Sequence, residues 1–313
     1  MEKETQCVVI GASAAGISAA IYLKRRGIDF ILISKDIGGE VALSGEVENY
    51  LGFPKITGLE LAKKFEEHLK YYEISPLLYY YVNNIREEGK QFLVEAINEA
   101  NTKILIKTKS IIIATGSKPK KLNVSGEDKF YQKGLSYCTV CDGPLFRNKV
   151  VAVIGGGNSA LESALMLGDL CPKVYLLTKN NEMKGDAILI KNLQQKKNIQ
   201  LITNALTQEI FGDNFVRGLK YLDLKTNEIK TLDVEGIFVH IGLTPNTNFV
   251  PDDFKIKNSY GEIVVNKLCE TAKAGIFAAG DITDIPFKQI SIAVGQGTIA
   301  ALSCVNYLNR EIA

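Results

Sequence analysis

Val8-Val-Ile10-Gly11-Ala-Ser13-Ala14-Ala15-Gly16 decides the fold: an apolar, β-branched run meets a cluster of small residues. The helical stretch Ile17 to Arg26 follows, Gly27 ends it, and Phe30-Ile-Leu-Ile33 is a second buried strand. Strand, tight turn, helix and strand is the unit from which parallel, doubly wound sheets are made. The pattern then restarts. Lys149 to Ile154 is a strand, Gly155-Gly156-Gly157-Asn158-Ser159-Ala160 a turn, Leu161 to Leu170 a helix, and Val174-Tyr-Leu-Leu177 the next strand. Between the two units the sequence predicts a helix over Gly58 to Tyr72 and alternating strands from about Leu78 to Lys107. It also predicts a separate buried strand, Ser110-Ile-Ile-Ile113, which runs into Ala114-Thr-Gly116. Ile237-Phe-Val-His-Ile-Gly242 repeats that strand-to-glycine ending, and the remainder holds Gly275-Ile-Phe-Ala-Ala-Gly280-Asp281 and a helix over Ser291 to Leu308. The expected fold class is α/β, with two Rossmann-like, three-layer dinucleotide-binding domains. The first is discontinuous, residues 1–117 and 247–313, and the second spans 118–246. Short crossings fall near residues 117 and 246.

In a turn of this kind the first Gly permits the bend, the second lets backbone approach a pyrophosphate, and the third lets helix pack on strand. Phosphate then sits on the helix N-terminus, where free N–H groups and the dipole favour negative charge. Gly11-x-Ser13-x-x-Gly16 fits with Ser in the second place, and Gly155-x-Gly157-x-x-Ala160 with Ala in the third. A single match is weak, because Gly-rich strand-to-helix turns also occur without a ligand. Two matches, each between a strand and a helix, imply two dinucleotides and electron transfer between them. The acidic residue expected about 20 residues later for the ribose hydroxyls is missing from both. The first unit ends at Ser34-Lys35-Asp36 and the second at Thr178-Lys179-Asn180. Thr178 can hydrogen-bond a ribose hydroxyl. Lys179 or Lys184 can meet a 2′-phosphate, although solvated surface is the favoured reading of both.

The composition is that of a globular chain: 313 residues, 46% hydrophobic, 23% charged. With 37 basic against 35 acidic residues, nothing favours nucleic acid or an anionic membrane. The acidic, polar start lacks the basic and apolar regions of a signal peptide, and no apolar run reads as long enough to span a bilayer. A cytoplasmic location is expected.

Six cysteines are present, and only Cys138 and Cys141 are close in sequence. Cys7, Cys171 and Cys304 read as buried small hydrophobes, and Cys269 as slightly more exposed. Ser136-Tyr-Cys138-Thr-Val-Cys141-Asp142-Gly143-Pro144 can close a small disulfide ring, supply half a metal site, or be incidental. Zinc needs about four ligands, and neither His68 nor Cys269 shows a pairing pattern that completes a set, so no metal is expected. Beside a flavin, a dithiol accepts two electrons and passes them on by exchange. Asp142 can supply or remove the proton that thiol chemistry needs. It also suits the turn before Gly143-Pro144, and both roles are compatible.

Over nearly its whole length the chain resembles the low-molecular-weight thioredoxin reductase family. The likeness rests on Gly11 to Gly16, Gly38-Gly39 with Glu46-Val-Glu-Asn49-Tyr, Ala114-Thr-Gly116, the cysteine pair with Asp142-Gly143, Gly155 to Ala160, Gly242 with Pro245-Asn-Thr247, and Gly280-Asp281 with Lys288-Gln289-Ile290. Cys141-Asp-Gly-Pro-Leu-Phe146, Lys184-Gly-Asp-Ala187, Gly236-Ile-Phe-Val239 and Ile285-Pro-Phe-Lys-Gln-Ile290 most resemble the flavoprotein subunit of alkyl hydroperoxide reductase, without its N-terminal thioredoxin-like region.

The resemblance implies an FAD-dependent disulfide reductase. FAD would be held by Gly11, Ser13, Ala14, Ala15, Gly16, Ser34, Lys35, Gly39, Glu40, Asn49, Gly116, Gly280, Asp281, Lys288, Gln289 and Ile290. NADH or NADPH would be held by Gly155, Gly156, Gly157, Asn158, Ser159, Ala160, Thr178 and Lys179. Cys141 would face the flavin, Cys138 would attack the substrate disulfide, and Asp142 would be the acid–base group. The implied partner is a small thioredoxin- or glutaredoxin-like protein, and the implied assembly a homodimer. The nucleotide domain would rotate about the two crossings.

Three departures stand out. Glu40 replaces the usual Gln and Lys288 the usual Arg. The His-Arg-Arg run of the NADPH-dependent members is absent from Thr178-Lys-Asn-Asn-Glu-Met-Lys184. Without that bidentate grip on a 2′-phosphate, NADH is the expected donor. The alternative is a thiol-independent flavin oxidoreductase, of the ferredoxin–nucleotide reductase or NADH oxidase type, which lacks the Cys138/Cys141 pair. A third reading, a nucleotide-binding sensor, would hold FAD that NADH does not bleach.

Overall fold

A computed structural model describes residues 2–44 and 46–312. The termini of the expected first domain, Met1 and Ala313, lie outside the described residues. The chain divides into two compact units, Met1–Lys118 with Thr244–Ala313, and Pro119–Leu243. The second division falls three residues before the expected crossing at 246/247. Thr244 to Thr247 stay with the first unit because Asn246 Nδ2 donates to Thr115 O (2.8 Å), Asn246 N–H to Gly116 O (3.0 Å), and Thr115 Oγ1 to Asn246 O (2.9 Å).

In the first unit the main sheet runs, by strand, Phe30–Ile37, Glu2–Ala12, Lys103–Ile113, Gln91–Asn98 and Tyr80–Glu88, with Ile276–Ala278 also pairing with Lys103–Ile113. Strands 2–12, 30–37, 103–113 and 276–278 pair in parallel, and 80–88 and 91–98 antiparallel. Alternate residues of the first strand enter opposite layers. Cys7 and Val9 pack beneath the helices Ala14–Arg25 and Ile290–Ile312, while Val8 and Ile10 pack with Ile85, Val94, Ile106 and Ile111. Each fully buried Val or Ile contributes about 1.5–3 kcal/mol, so a sheet covered on both faces sets the register firmly.

Ser110–Ile113 is not a separate strand. It continues Lys103–Lys107, because its partner runs unbroken from Glu2 opposite Leu105 to Ile10 opposite Ile113. One described helix, Ile290–Arg310, is long and apolar enough by length and composition to cross a membrane, contrary to the expectation for the sequence. Core packing accounts for much of its apolarity, since Ala300, Ala301, Cys304, Val305 and Leu308 are buried.

In the second unit the parallel sheet is ordered Ile199–Ile202, Lys173–Leu177, Val150–Ile154, Gly236–Val239 and Leu135–Ser136. The antiparallel meander Ala205–Gly212, Val216–Asp223 and Glu228–Asp233 forms a second sheet. Val151 and Val153 pack with residues of the helix Asn158–Leu170, and Ala152 and Ile154 with residues of the meander. That helix begins at Asn158 rather than Leu161, so Asn158, Ser159 and Ala160 form its first turn.

Candidate functional site

The first turn places its small residues where nothing larger fits. Gly11 has φ +107°, and a Cβ there would stand 2.3 Å from Ala114 O; one on Gly16 would stand 1.7 Å from Gly11 O. Ser13 is the N-cap of the helix Ala14–Arg25, but its side chain makes no cap bond and donates instead to Gly38 O (2.6 Å). The absence of a side-chain cap leaves the helix N-terminus suited to an external anion. Ser34 Oγ accepts from Ala12 N–H (3.1 Å), tying the second strand to the turn.

Further residues from the expected set converge on the same unit. Gly39 lies beside Ser13. Gly280, at φ +81°, approaches Ala15, and its N–H donates to Gln296 Oε1 (2.8 Å). Asn49 Nδ2 donates to Gln289 Oε1 (3.2 Å). Asp281 is held by its carbonyl, which accepts from Ser117 Oγ. Burial raises the Asp281 carboxyl above the ordinary carboxylate range, with Lys288 acting against it. Glu40 is exposed, yet surrounding protein thins the water near its carboxyl and raises its pKa; Lys118 opposes this, and Asp281 and Asp36 add to it. Lys288 Nζ donates to Glu262 Oε1 (3.2 Å) and Thr283 O. Gly116 has φ +66°, and Ile290 opens the C-terminal helix. Lys35 is exposed and lies over the Tyr81 ring, 5.7 Å from its centroid. Sequence reasoning missed Ser117, Thr283 and Gln296. Gln296 is a buried polar residue in the C-terminal helix.

The second turn repeats the design. A Cβ on Gly155 would stand 2.2 Å from His240 O and one on Gly156 2.7 Å from Thr178 Oγ1, whereas one on Gly157 would meet nothing within 4 Å. Gly157, the second motif position, therefore faces open space, and the helix beyond it has no side-chain cap. Thr178 is buried beside the turn and Lys179 is exposed. Asn158 is fixed by the loop before the helix Ala187–Gln195. Its Oδ1 accepts from Asp186 N–H (2.8 Å) and its Nδ2 donates to Asp186 Oδ2 (3.1 Å). Lys184 N–H donates to Gly156 O (2.7 Å). Ser159 is exposed, and Ala160 is buried under the turn.

Cys138 and Cys141 form a disulfide across the short helix Thr139–Asp142. Cys138 caps this helix, its Sγ accepting from Cys141 N–H (3.2 Å), while its carbonyl accepts from Asp142 N–H (3.0 Å). Ser136 Oγ accepts from Cys138 N–H (3.0 Å) and donates to Asp142 Oδ2. Burial raises the Asp142 carboxyl, and the Ser136 bond opposes the rise. A carboxyl in that state is suited to hold a proton beside a thiol. Next in sequence to Cys138, the Tyr137 hydroxyl donates to buried Glu127 (2.8 Å), which also accepts from the N–H groups of Leu122 and Asn123 (2.7 Å each).

The other four cysteines are buried thiols. This corrects the expectation for Cys269, which is 2% exposed: its N–H donates to Asn266 O and its O accepts from Ala278 N–H, which draws it into the core. Burial pushes its thiol up to about 11. Cys304 Sγ donates to Cys7 Sγ (3.6 Å). No group of three or more metal-ligating side chains occurs among the described residues.

Comparison with known proteins gives the chain's family. The family model "Pyridine nucleotide-disulphide oxidoreductase" matches residues 5–297. The chain is 41% identical over 304 residues to an alkyl hydroperoxide reductase subunit of Escherichia coli, covering 97% of this chain but 58% of that protein. It thus spans less than two thirds of that relative. It is 42% identical to thioredoxin reductase of Ureaplasma parvum, with 97% of each covered. The crystal structure of thioredoxin reductase from Streptococcus pyogenes superposes with a TM-score of 0.89 at 31% identity, covering 98% of this chain and 99% of that one. The chain belongs to the pyridine nucleotide-disulphide oxidoreductase family, whose flavin and nicotinamide nucleotide suit the two small-residue turns.

Proposed function

We propose that the chain is a disulfide reductase that moves two electrons from NADH, by way of FAD, to the Cys138–Cys141 disulfide and then to the disulfide of a small thioredoxin-like protein. The observation that carries the reading is the closed Cys138–Cys141 ring with the half-buried Asp142 carboxyl beside it. FAD, when bound, supplies the two-electron relay between nicotinamide and dithiol. Its pyrophosphate would lie at Ser13 to Gly16, with Asp281 toward the ribityl or phosphate end and Asn49 and Lys288 to Ile290 near the ring system. The nicotinamide nucleotide would lie at Gly155 to Ala160, its pyrophosphate against the open face of Gly157.

In the reduced protein, Cys138 thiolate attacks one sulfur of the partner's disulfide. The S–S bond breaks, and the departing sulfur takes a proton. Cys141 then attacks Cys138 Sγ in the mixed disulfide, releasing the second partner thiol and re-forming the internal ring. Two electrons and two protons leave with the partner. Asp142 removes the proton from one cysteine thiol as it attacks and returns it to a leaving sulfur. The dithiol and the nucleotide turn belong to one unit and serve one flavin in succession, so the crossings at Lys118–Pro119 and Leu243–Thr244 act as pivots.

Preference for NADH rests on the absence of an arginine fork after the second strand pair. Lys179 is exposed, and Lys184 meets the turn through its backbone. Steady-state kinetics with both nucleotides test the choice, and a higher kcat/KM with NADPH would overturn it. A homodimer in the cytoplasm is part of the same proposal. Anaerobic NADH titration, followed at the flavin band with thiol counting, tests the whole. Uptake of about four electrons per chain, two each for flavin and disulfide as a two-electron couple, supports it. Uptake of only about two supports the thiol-independent flavin oxidoreductase instead.

A further inference from the structure

His240 stands outside the expected set of site residues, yet it touches both working parts of the second unit. Its backbone is locked just past the strand Gly236–Val239: its N–H donates to Ile154 O (2.7 Å), and its carbonyl lies over Gly155, the first glycine of the nucleotide turn. Its ring points at two hydroxyls. Nε2 is 2.8 Å from Thr139 Oγ1 and 2.9 Å from Ser163 Oγ. Thr139 is the residue between the two cysteines that follows Cys138. Ser163 lies on the helix Asn158–Leu170, which starts at the nucleotide turn. Both hydroxyl residues are buried, at 3% and 7% exposure.

We propose that His240 is a positioning residue for the redox pair, holding Thr139 so that the Cys138–Cys141 ring is favoured, with Ser163 competing for the same ring nitrogen. This rests on the reading of the pair as redox-active. A ring nitrogen offers one in-plane position, either a lone pair or an N–H. It makes one linear hydrogen bond at a time, so the two hydroxyls share it. Burial lowers the imidazole pKa to about 4, so the contact is between neutral groups throughout the working range of pH.

The described state is the closed ring. Reduction separates the two sulfurs beyond bonding distance, and in this proposal the four-residue helix Thr139–Asp142 shifts to accommodate the separation. A bond that holds Thr139 in the closed geometry therefore weights the equilibrium toward the disulfide. A Ser163 bond draws on the same nitrogen and weakens that hold. The helix that begins at the nucleotide turn is thereby linked to the stability of the ring.

The test measures the thiol–disulfide equilibrium of the pair in the full-length protein against glutathione buffers of known ratio, read by thiol trapping and mass spectrometry. His240→Ala and Thr139→Val should each shift it toward the dithiol by roughly three- to tenfold, the range of one modest hydrogen bond. Ser163→Ala should shift it the opposite way, because Thr139 then has the nitrogen to itself. His240→Gln, which keeps a polar atom at that distance, should recover much of the native value. An unmoved equilibrium in His240→Ala and Thr139→Val would overturn the proposal, and so would a shift of the same sign in Ser163→Ala. Thr139→Val conserves side-chain volume and serves where His240→Ala fails to fold. The glutathione measurement needs no flavin, so a native pair that equilibrates with glutathione but takes no electrons from NADH would refute the proposed function and leave this inference standing.

Discussion

Gly157→Ala separates folding from nucleotide binding. A Cβ at Gly157 meets no heavy atom within 4 Å, and the backbone there, at φ −106° and ψ −171°, suits any L-residue. Loss of chain freedom in the unfolded state stabilises such a variant by about 0.4–1 kcal/mol, and the poorer N-cap takes back a similar amount, about 0.5–1 kcal/mol. The folded protein should thus stay within about 1 kcal/mol of the parent. The same methyl occupies the space through which a pyrophosphate would approach the backbone. A displaced phosphate should raise the apparent Kd for NADH at least about tenfold, or about 1.4 kcal/mol. Gly155→Ala is the contrast: its Cβ would sit 2.2 Å from His240 O and 2.8 Å from Ala160 Cβ, an overpacking that costs about 1–3 kcal/mol or more of stability. Calorimetry reads stability, and anaerobic stopped-flow reads flavin bleaching against NADH concentration. A folded Gly157→Ala variant with unchanged apparent Kd would refute the placement of the pyrophosphate. One as unstable as Gly155→Ala would refute the open-face argument.

Asp142→Asn should slow transfer from the dithiol to a partner disulfide, measured by single-turnover thiol release, while leaving flavin reduction by NADH in place. The folded Asp142 pKa is raised by burial above an unfolded value near about 3.9, so the native carboxyl loses stability as pH rises through that interval. The variant should therefore melt higher than the parent at neutral pH, and its advantage should shrink as pH falls toward the unfolded pKa. Glu127→Ala strands three donors, the Tyr137 hydroxyl and the N–H groups of Leu122 and Asn123, and should cost at least about 2 kcal/mol in urea unfolding. With one disulfide, four buried thiols and six cysteines in all, a thiol reagent should find none reactive in the oxidised native protein, two after NADH reduction, and six after reduction and denaturation.

The two glycine turns and the cysteine pair were legible because each is local: strand, bend and helix follow within a dozen or so residues, as a βαβ start requires. Their chemistry needs specific residue types at fixed spacing. What escaped the sequence was long-range. His240 read only as one residue of an apolar strand ending, since its partners Thr139 and Ser163 are 101 and 77 positions away. Gln296 and Ser117 act on Gly280 and Asp281 through a helix and a crossing that no local pattern connects. No break falls before Ser110, because the change from alternating to continuously apolar residues there is not a strand end. The extended partner on one edge keeps the strand straight through it.

The strand Lys103–Ile113 has a consequence for the order of assembly. It pairs with the first strand, with the hairpin before it, and with Ile276–Ala278. Ser18 on the first helix waits for Val294 and Thr298 (2.8 and 2.9 Å). During synthesis, all of Pro119–Leu243 leaves the ribosome before those distant partners do. The inserted unit can finish folding first, since domains generally fold as units on the nascent chain, while the discontinuous one waits with an exposed sheet edge. A ribosome-stalled chain that has cleared the exit tunnel through Leu243, with Ile276–Ala278 and Ile290–Ile312 not yet exposed, should therefore carry a protease-resistant inserted unit and an incomplete first unit, and destabilising substitutions in Ile290–Ile312 should be felt chiefly as aggregation during synthesis.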